Sequence, residues 1–331
     1  PGPGALGRRE RSRIMKEFFL YAFRRLLMLI PFFLGLTVMA FLLGVWAPGD
    51  PALAVLTMDG SSDPGPAELE AMRHTMGLDR PLWEQYGQWM IHALQGNLGI
   101  SYLTQKPVAE ELLIRFPVTL SLAVCALLWV CLLGIPGGLW AARCKDRMPD
   151  TMIRIGALLC ISVPGFWLAI LGMLLFSEEW QLLPSSGYGS AVQMILPSFV
   201  LAAAAAGSVV RLQRASMLEV LEKDFVLTEK ARGLPFPVIL RRHVLPNALM
   251  PVITMVGTFF GSVLGGSVII ENLFSIPGLG SYVLAAIWGR DYPAVQGYVL
   301  ISGTVFVFFN YLVDLSYYWF NPETRKNGGE L

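Results

Sequence analysis

Six long apolar runs limit what this chain can fold into. They cover roughly Phe18–Trp46 and residues 117–141, 153–176, 192–212, 247–270 and 294–318. About 20 apolar residues in a helix cross the hydrocarbon core of a bilayer. Lipid offers a backbone no hydrogen-bonding partner but itself, so each run is predicted to be a membrane-spanning helix. Composition agrees: of 331 residues 54% are hydrophobic and 15% charged, with a mean hydropathy of +0.56. That is too apolar for a water-soluble globule of this size, and one membrane domain is expected over residues 15–331.

Charge is partitioned between the connections. Arg143, Lys145, Arg147 and Arg154 crowd the 143–154 connection, whereas 177–191 holds Glu178 and Glu179 and no base. The stretch Arg211–Pro251 carries seven Lys and Arg residues. Basic connections stay in the cytoplasm, which places both termini there. Residues 1–14, PGPGALGRRERSRI, have no initiator Met and read as an expression remnant or a disordered basic tail. The first apolar run is too long for the core of a signal peptide and reads as the first span.

Residues 47–116 are then external. The segment PLWEQYGQWMIHALQ is amphipathic, with Leu82, Tyr86, Trp89, Met90 and Ala93 on one helical face, and Trp83 and Trp89 suit a membrane interface. The segment is expected to cap the bundle and to offer a landing surface for an external partner. The fourth span, with its AAAAAGS core, is weakly apolar, and its small residues suit close packing on other helices. Cys125, Cys131, Cys144 and Cys160 read as small, buried, reduced core residues.

Within the loop 211–247, Met217, Leu218, Leu221, Phe225, Leu227 and Ala231 recur at helical spacing, and Gly233, Pro235 and Pro237 interrupt them. A helix, a break and a second element returning at Pro246 are predicted. A cytosolic helix tied to two spans is suited to receiving a push from another protein; an ordinary amphipathic loop is the plainer alternative.

Other chemistry has little support in the residues. There is no G-x-x-x-x-G-K-[ST] loop for a nucleotide triphosphate, and His74, His92 and His243 make no metal-ligand spacing. No serine in a span has a His or Lys within a turn, which disfavours a membrane-embedded enzyme. Ionisable side chains near the spans are few. Glu271 and Asp314 both lie towards boundaries, so an ion-coupled secondary transporter, which needs charge near midplane, is the second choice. Asp314 reads as an end-of-helix structural carboxylate. In FSIPGLG, Pro277 cannot continue a regular helix, while Gly278 and Gly280 are free to take positive φ for a sharp turn. Irregular backbone at this depth is expected at a wet pathway, here the outer mouth.

Gly233, nine residues, His243, one residue and Leu245-Pro246 resemble the loop signature of ABC importer permeases, although Leu227, Thr228 and Glu229 stand where that signature has E-A-A and His243 stands for its Ile. The surrounding DFVLTEKARGL and RHVLPNALMP resemble the peptide/nickel branch. So do GDPAL, MGLDRPLWEQYGQW, QGNLGISYLTQKPV, IPGGLWAARCKDRMPD, SVPGFWLAI and ENLFSIPGLGSYVLAAIWGRDYPAVQGYVL, so the likeness runs from about Met15 to Arg325. It implies the all-α, six-helix fold of a type I permease, in a bacterial plasma membrane. The partners implied are a second, homologous permease chain, two cytosolic ATPases that bind ATP and Mg, and an extracytoplasmic substrate-binding protein. No cofactor on this chain, no catalysis by it and no nucleic acid are implied. The residues expected to meet the ATPase are Glu222, Asp224, Phe225, Thr228, Ala231, Gly233 and Leu234, with Phe225 an apolar knob and Asp224 a helix cap. The expected external gate includes Glu271, Pro277, Gly278 and Gly280. The expected cargo is nickel, chelated, or a short peptide, with GLWAAR and RASM leaning towards nickel.

Overall fold

The computed structural model describes residues 3–46, 49–57 and 64–320; the side chains of residues 3–18, 54, 264–266, 314 and 316–320 also lie outside the description. The expectation for the Asp314 side chain therefore falls outside the described residues. The first helix, α1, is Pro3–Trp46, so residues 3–14, expected as a tail, are part of a helix. Short helices α2 (Pro51–Thr57), α3 (Pro66–Thr75) and α4 (Leu82–Leu94) follow in the segment between the first and second spans, which the sequence leads us to expect outside. Next come α5 (Val108–Trp129) and α6 (Ile135–Arg143), joined by a wide turn over Val130–Gly134 into one apolar rod of 36 residues. The segment before α5 therefore ends nine residues before the expected boundary, and Glu110, Glu111 and Arg115 lie on the first turns of α5.

The third span departs from expectation. The run 153–176 was predicted as one helix, but α7 (Met148–Ser162) and α8 (Gly165–Gly172, continued over Met173–Glu179) are bent by 104°. Pro164 is the cause: it cannot donate to the helical ladder, and it forces Val163 into extended backbone at φ −80°, ψ 126°. Among the described residues the membrane helices are thus five continuous apolar helices and one bent pair. The remaining helices are α9 (Ala191–Leu221), α10 (Asp224–Ala231), α11 (Phe236–Ile239), α12 (Leu245–Gly266), α13 (Val268–Leu273), α14 (Leu279–Trp288) and α15 (Tyr292–Phe320).

The chain divides into two compact units. The first, comprising Pro1–Leu29, Leu122–Val263 and Phe306–Leu331, is built around α9. Ser190 and Gln193 start that helix with a reciprocal capping box. Its small residues are used as expected: Ala202, Ala203, Ala206 and Gly207 are buried, and α6, α7 and α8 pack on this helix. A Cβ at Gly207 would stand 2.5 Å from the Ala157 carbonyl oxygen of α7, and one at Gly138 of α6 would stand 2.5 Å from Gln213 Cβ. The four cysteines are free and half-buried, less enclosed than expected.

The second unit comprises Ile30–Ser121 and Leu264–Val305. Val108 and Leu112 of α5, Leu279, Tyr282 and Val283 of α14, and Ala294 of α15 form its apolar core. Buried Asp291 in this unit accepts hydrogen bonds from Ser101 Oγ at 2.5 Å and the Leu103 N–H at 3.2 Å.

Candidate functional site

The loop between the fourth and fifth spans is shorter than its sequence suggests. α9 continues to Leu221, so Arg211–Leu221 belongs to the span helix and not to a separate element. Lys223 takes extended backbone, and the eight-residue α10 follows. Lys223 occupies the cap position without a side-chain hydrogen bond, and Asp224 is the first helical residue. The expected Asp224 cap is therefore displaced by one position: the carboxylate serves the helix dipole, and its carbonyl accepts from Thr228 Oγ1 at 3.0 Å.

α10 ends as the glycine predicts. Gly233 has φ +80°, its N–H donates to the Lys230 carbonyl at 3.0 Å, and the Leu234 N–H reaches back to Glu229 at 3.3 Å. This pair of bonds is the Schellman closure, which needs a left-handed residue at that position. No atom lies within 4 Å of where a Cβ would be, so backbone conformation, not space, selects glycine.

One side of α10 anchors it. Val226 is fully buried with Met217 and Val220 of α9, Ile239 of α11, and Val244 and Ala248 at the start of the fifth span. Phe225 is half-buried against the same cluster and so is chiefly an anchor, not the projecting knob expected. The outward apolar residue is Leu227, 60% exposed, beside exposed Thr228 and Ala231, with Leu234 just beyond. Glu222 is exposed and lies 3.9 Å from Lys145. In the same unit a hollow of about 860 Å³ is lined by Leu139 and Trp140 of α6, Met217 and Leu221 of α9, Phe236 of α11 and Leu245, together with Arg143 and Arg241.

The same unit holds a contact that sequence reasoning missed. Arg214 of α9 donates through Nε to Asp150 Oδ1 and through Nη2 to Asp150 Oδ2, each at 2.7 Å. Asp150 is fully buried in the first turn of α7, and the Asp146 N–H adds a third bond at 3.0 Å. The sequence signal was a pair of acids, Asp146 and Asp150, among the four bases of the 143–154 connection.

The expected gate lies in the second unit. Glu271 of α13 is fully buried. Its Oε1 accepts from Thr119 Oγ1 of α5 at 2.8 Å and from Ser267 Oγ at 2.6 Å, and its Oε2 accepts from the Ser281 N–H of α14 at 3.0 Å. Thr119 Oγ1 in turn accepts the Leu279 N–H at 2.8 Å, at the otherwise unsatisfied start of α14. One carboxylate thus ties three helices. Gly278 and Gly280 do not take positive φ: Gly278 is extended at φ −96°, and the left-handed residue of the turn is Ser275, at φ +54°. Their smallness serves close approach instead. A Cβ at Gly278 would stand 2.5 Å from Glu271 Oε2, and one at Gly280 would stand 2.6 Å from the Val268 Cα. Pro277 is exposed on the turn.

Comparison with known proteins decides the family. "Binding-protein-dependent transport system inner membrane component" matches residues 134–326, and the corresponding N-terminal description matches residues 17–123. The chain belongs to this family of ABC importer permeases. Among its relatives, the glutathione transport system permease protein GsiC of Escherichia coli K12 is 37% identical over 305 residues, covering 92% of this chain and 98% of that one. A putative peptide transport system permease protein of Brucella abortus is 39% identical over 310 residues, covering 91% and 98%. Among solved structures, the inward-facing MetNI methionine ABC transporter aligns with a TM-score of 0.47 at 17% identity, covering 62% of this chain and 92% of that one.

As a permease of this family the chain is a multi-pass inner-membrane protein with the all-α fold that its sequence led us to expect. The permease brings Phe225, Thr228, Ala231 and Gly233 together on or beside one short helix, with Glu222, Asp224 and Leu234 at its ends. It also brings Glu271, Gly278 and Gly280 within contact of one another, and leaves Pro277 on the rim of that cluster.

Proposed function

We propose that this permease forms half of the pathway of an ATP-driven importer and that α10 receives the stroke of a cytosolic ATPase. The observation that carries this is the mounting of α10: Val226 wedges it onto the ends of the fourth and fifth spans, and Gly233 closes it in a rigid turn. A helix held from both sides moves its spans when pushed, whereas a loose loop would absorb the push. Leu227, Thr228, Ala231 and Leu234 would meet the ATPase, with Glu222 and Asp224 at the rim. ATP and Mg would be bound by two such partner subunits, and a second, homologous permease would complete the pathway. Both termini would lie in the cytoplasm, and an extracytoplasmic binding protein would deliver cargo to the opposite face.

For cargo we infer a short peptide of the glutathione kind, because relatives matching over nearly their whole length carry glutathione and peptide names. The lean of GLWAAR and RASM towards nickel has no counterpart among those names. The Glu271 cluster would serve as a hinge at the outer mouth, since its carboxylate joins α5, α13 and α14.

The test is a Leu227→Cys variant in the assembled transporter, cross-linked to single cysteines on its ATPase. Cross-linking that changes on ATP binding is the expected result. Transport driven by an ion gradient without ATP would overturn the reading in favour of a secondary carrier. Uptake of glutathione, dipeptides and chelated nickel by proteoliposomes with the binding protein then identifies the cargo.

A further inference from the structure

α4 has three faces of different character. Tyr86 and Trp89 form its inner face: both rings pack on Phe41 of α1, with centroids at 5.5 and 5.9 Å, and Tyr86 Oη is 2.9 Å from Thr37 Oγ1. Gln85, Gln88 and His92 form a second face lining a cleft of about 790 Å³, together with Asp50, Arg73, Gln296 and others. The third face carries Trp83, Gly87, Ile91 and Leu94 at helical spacing; Trp83, Ile91 and Leu94 are 72%, 56% and 80% exposed. It has no charged side chain, and Glu84 stands at its border with the polar face.

The depth of α4 says what covers that third face. Its contacts centre on Phe41, five residues inside the end of α1 at Trp46, or about 7.5 Å at the helical rise. Amphipathic helices lying in a bilayer surface sit about 5–10 Å into the boundary of headgroups and acyl chains. The Tyr86–Thr37 bond reaches further still from that end, to a residue nine positions before Trp46. Met39, Leu43 and Trp46 of α1 are exposed as well, as expected where lipid is the surrounding medium.

We propose that α4 is embedded in the membrane surface, with Trp83, Ile91 and Leu94 against acyl chains while Gln85, Gln88 and His92 face the wet cleft. The helix would then be a fixed wall between lipid and the cleft, and not a free cap or a docking surface. Trp83 would be its interfacial anchor; Trp89, which the sequence also suggests for that role, is spent on Phe41. Only the choice of the outer leaflet rests on the orientation proposed above.

The experiment is spin-label accessibility in the whole transporter reconstituted in liposomes. Labels are placed singly at Ile91→Cys, Leu94→Cys and Gln88→Cys after replacement of the four native cysteines. Collision with oxygen, which concentrates in lipid, is compared with collision by water-soluble chromium oxalate. The expected result is oxygen-dominated relaxation at 91 and 94 and the reverse at 88. Chromium oxalate access at 91 and 94 equal to that at 88 would overturn the proposal. So would immobilisation of those labels by added binding protein, or shielding of them from both reagents, since either would mean that protein covers the stripe. None of these readouts depends on transport, so failure of the coupling model would leave the result intact.

Discussion

Arg214 and Asp150 form a two-toothed ion pair that joins the fourth span to the first turn of the third, with both bonds at 2.7 Å. The aspartate is fully buried and also holds the Asp146 N–H, so its charge is matched on both oxygens. Leaving one partner of a buried pair alone costs about 3–5 kcal/mol, much of it the penalty for an unpaired charge. Asp150→Ala and Arg214→Ala are therefore expected to lower the melting temperature of the purified transporter strongly. An Asp150→Leu/Arg214→Met double variant is expected to recover most of that loss. Thermal unfolding in detergent checks this: a double loss equal to each single loss would mean that the missing contact and not a stranded charge sets the cost, and a double loss equal to the sum of the single ones would mean that the two residues do not act as a pair.

Gly233 separates two explanations of a glycine turn, because its positive φ and its empty surroundings are both observed. If conformation is what selects it, Gly233→Asn should be nearly harmless, since Asn tolerates left-handed backbone. Gly233→Ala should cost about 1–2 kcal/mol in the turn, and Gly233→Val more. In the assembled importer the Val variant is expected to hydrolyse ATP with reduced uptake per ATP. Normal coupling in the Val variant would remove α10 from the power stroke.

The spans and the break at Gly233 were legible because each rests on local chemistry: apolar length for the first, a missing Cβ for the second. The bend after Ser162 was signalled by Pro164 but hidden under an unbroken apolar run, since hydropathy does not sense the direction of a helix. Asp150 and Arg214 stand 64 residues apart, and nothing local pairs them. The same holds for Thr119 and Glu271, 152 residues apart. For Gly278 and Gly280 the residue type was read correctly and its reason was not. Sequence suggested freedom of φ, whereas the packed helices demand room, which only tertiary contact reveals. Phe225 fails in the same way: an aromatic residue in a loop can point in or out, and the apolar cluster under α10 decides for in.

Gly278 and Gly280 should respond differently to alanine. At Gly280 the added Cβ meets the Val268 backbone, 2.6 Å from Cα and 2.9 Å from N, so α13 and α14 must separate. At Gly278 it meets the ends of the Glu271 and Thr119 side chains, which can turn aside but only by giving up their hydrogen bonds. Overpacking of this kind typically costs about 1–3 kcal/mol. Gly280→Ala is expected to be the more destabilising in thermal unfolding. Glu271→Ala, which strands Ser281 N–H and two hydroxyls, should be worse than Glu271→Gln, which keeps an acceptor in place. An Ala variant as stable as the Gln variant would mean that water replaces the carboxylate at no cost.

The segment between the first and second spans is expected to have its own pH dependence through Asp50. Partial burial pushes the Asp50 carboxyl up, but the Arg73 guanidinium, bonded to it at 2.8 Å through Nε, and the Ala52 N–H at 3.0 Å more than offset this and hold it below its ordinary value of 3.8. A carboxyl depressed in the folded state stabilises that state above its unfolded pKa, and the contribution is lost as pH falls through the folded value. The pair is partly exposed, so the effect is local and screened by salt. Proteolytic nicking between α2 and α3 is therefore expected to stay constant from neutral pH down to about 4, near the ordinary carboxyl value, and to rise below it. Arg73→Met should raise nicking at neutral pH and flatten the acid response, because Asp50 then loses its main partner. If the Met variant keeps the same acid-induced rise, another carboxylate controls the segment.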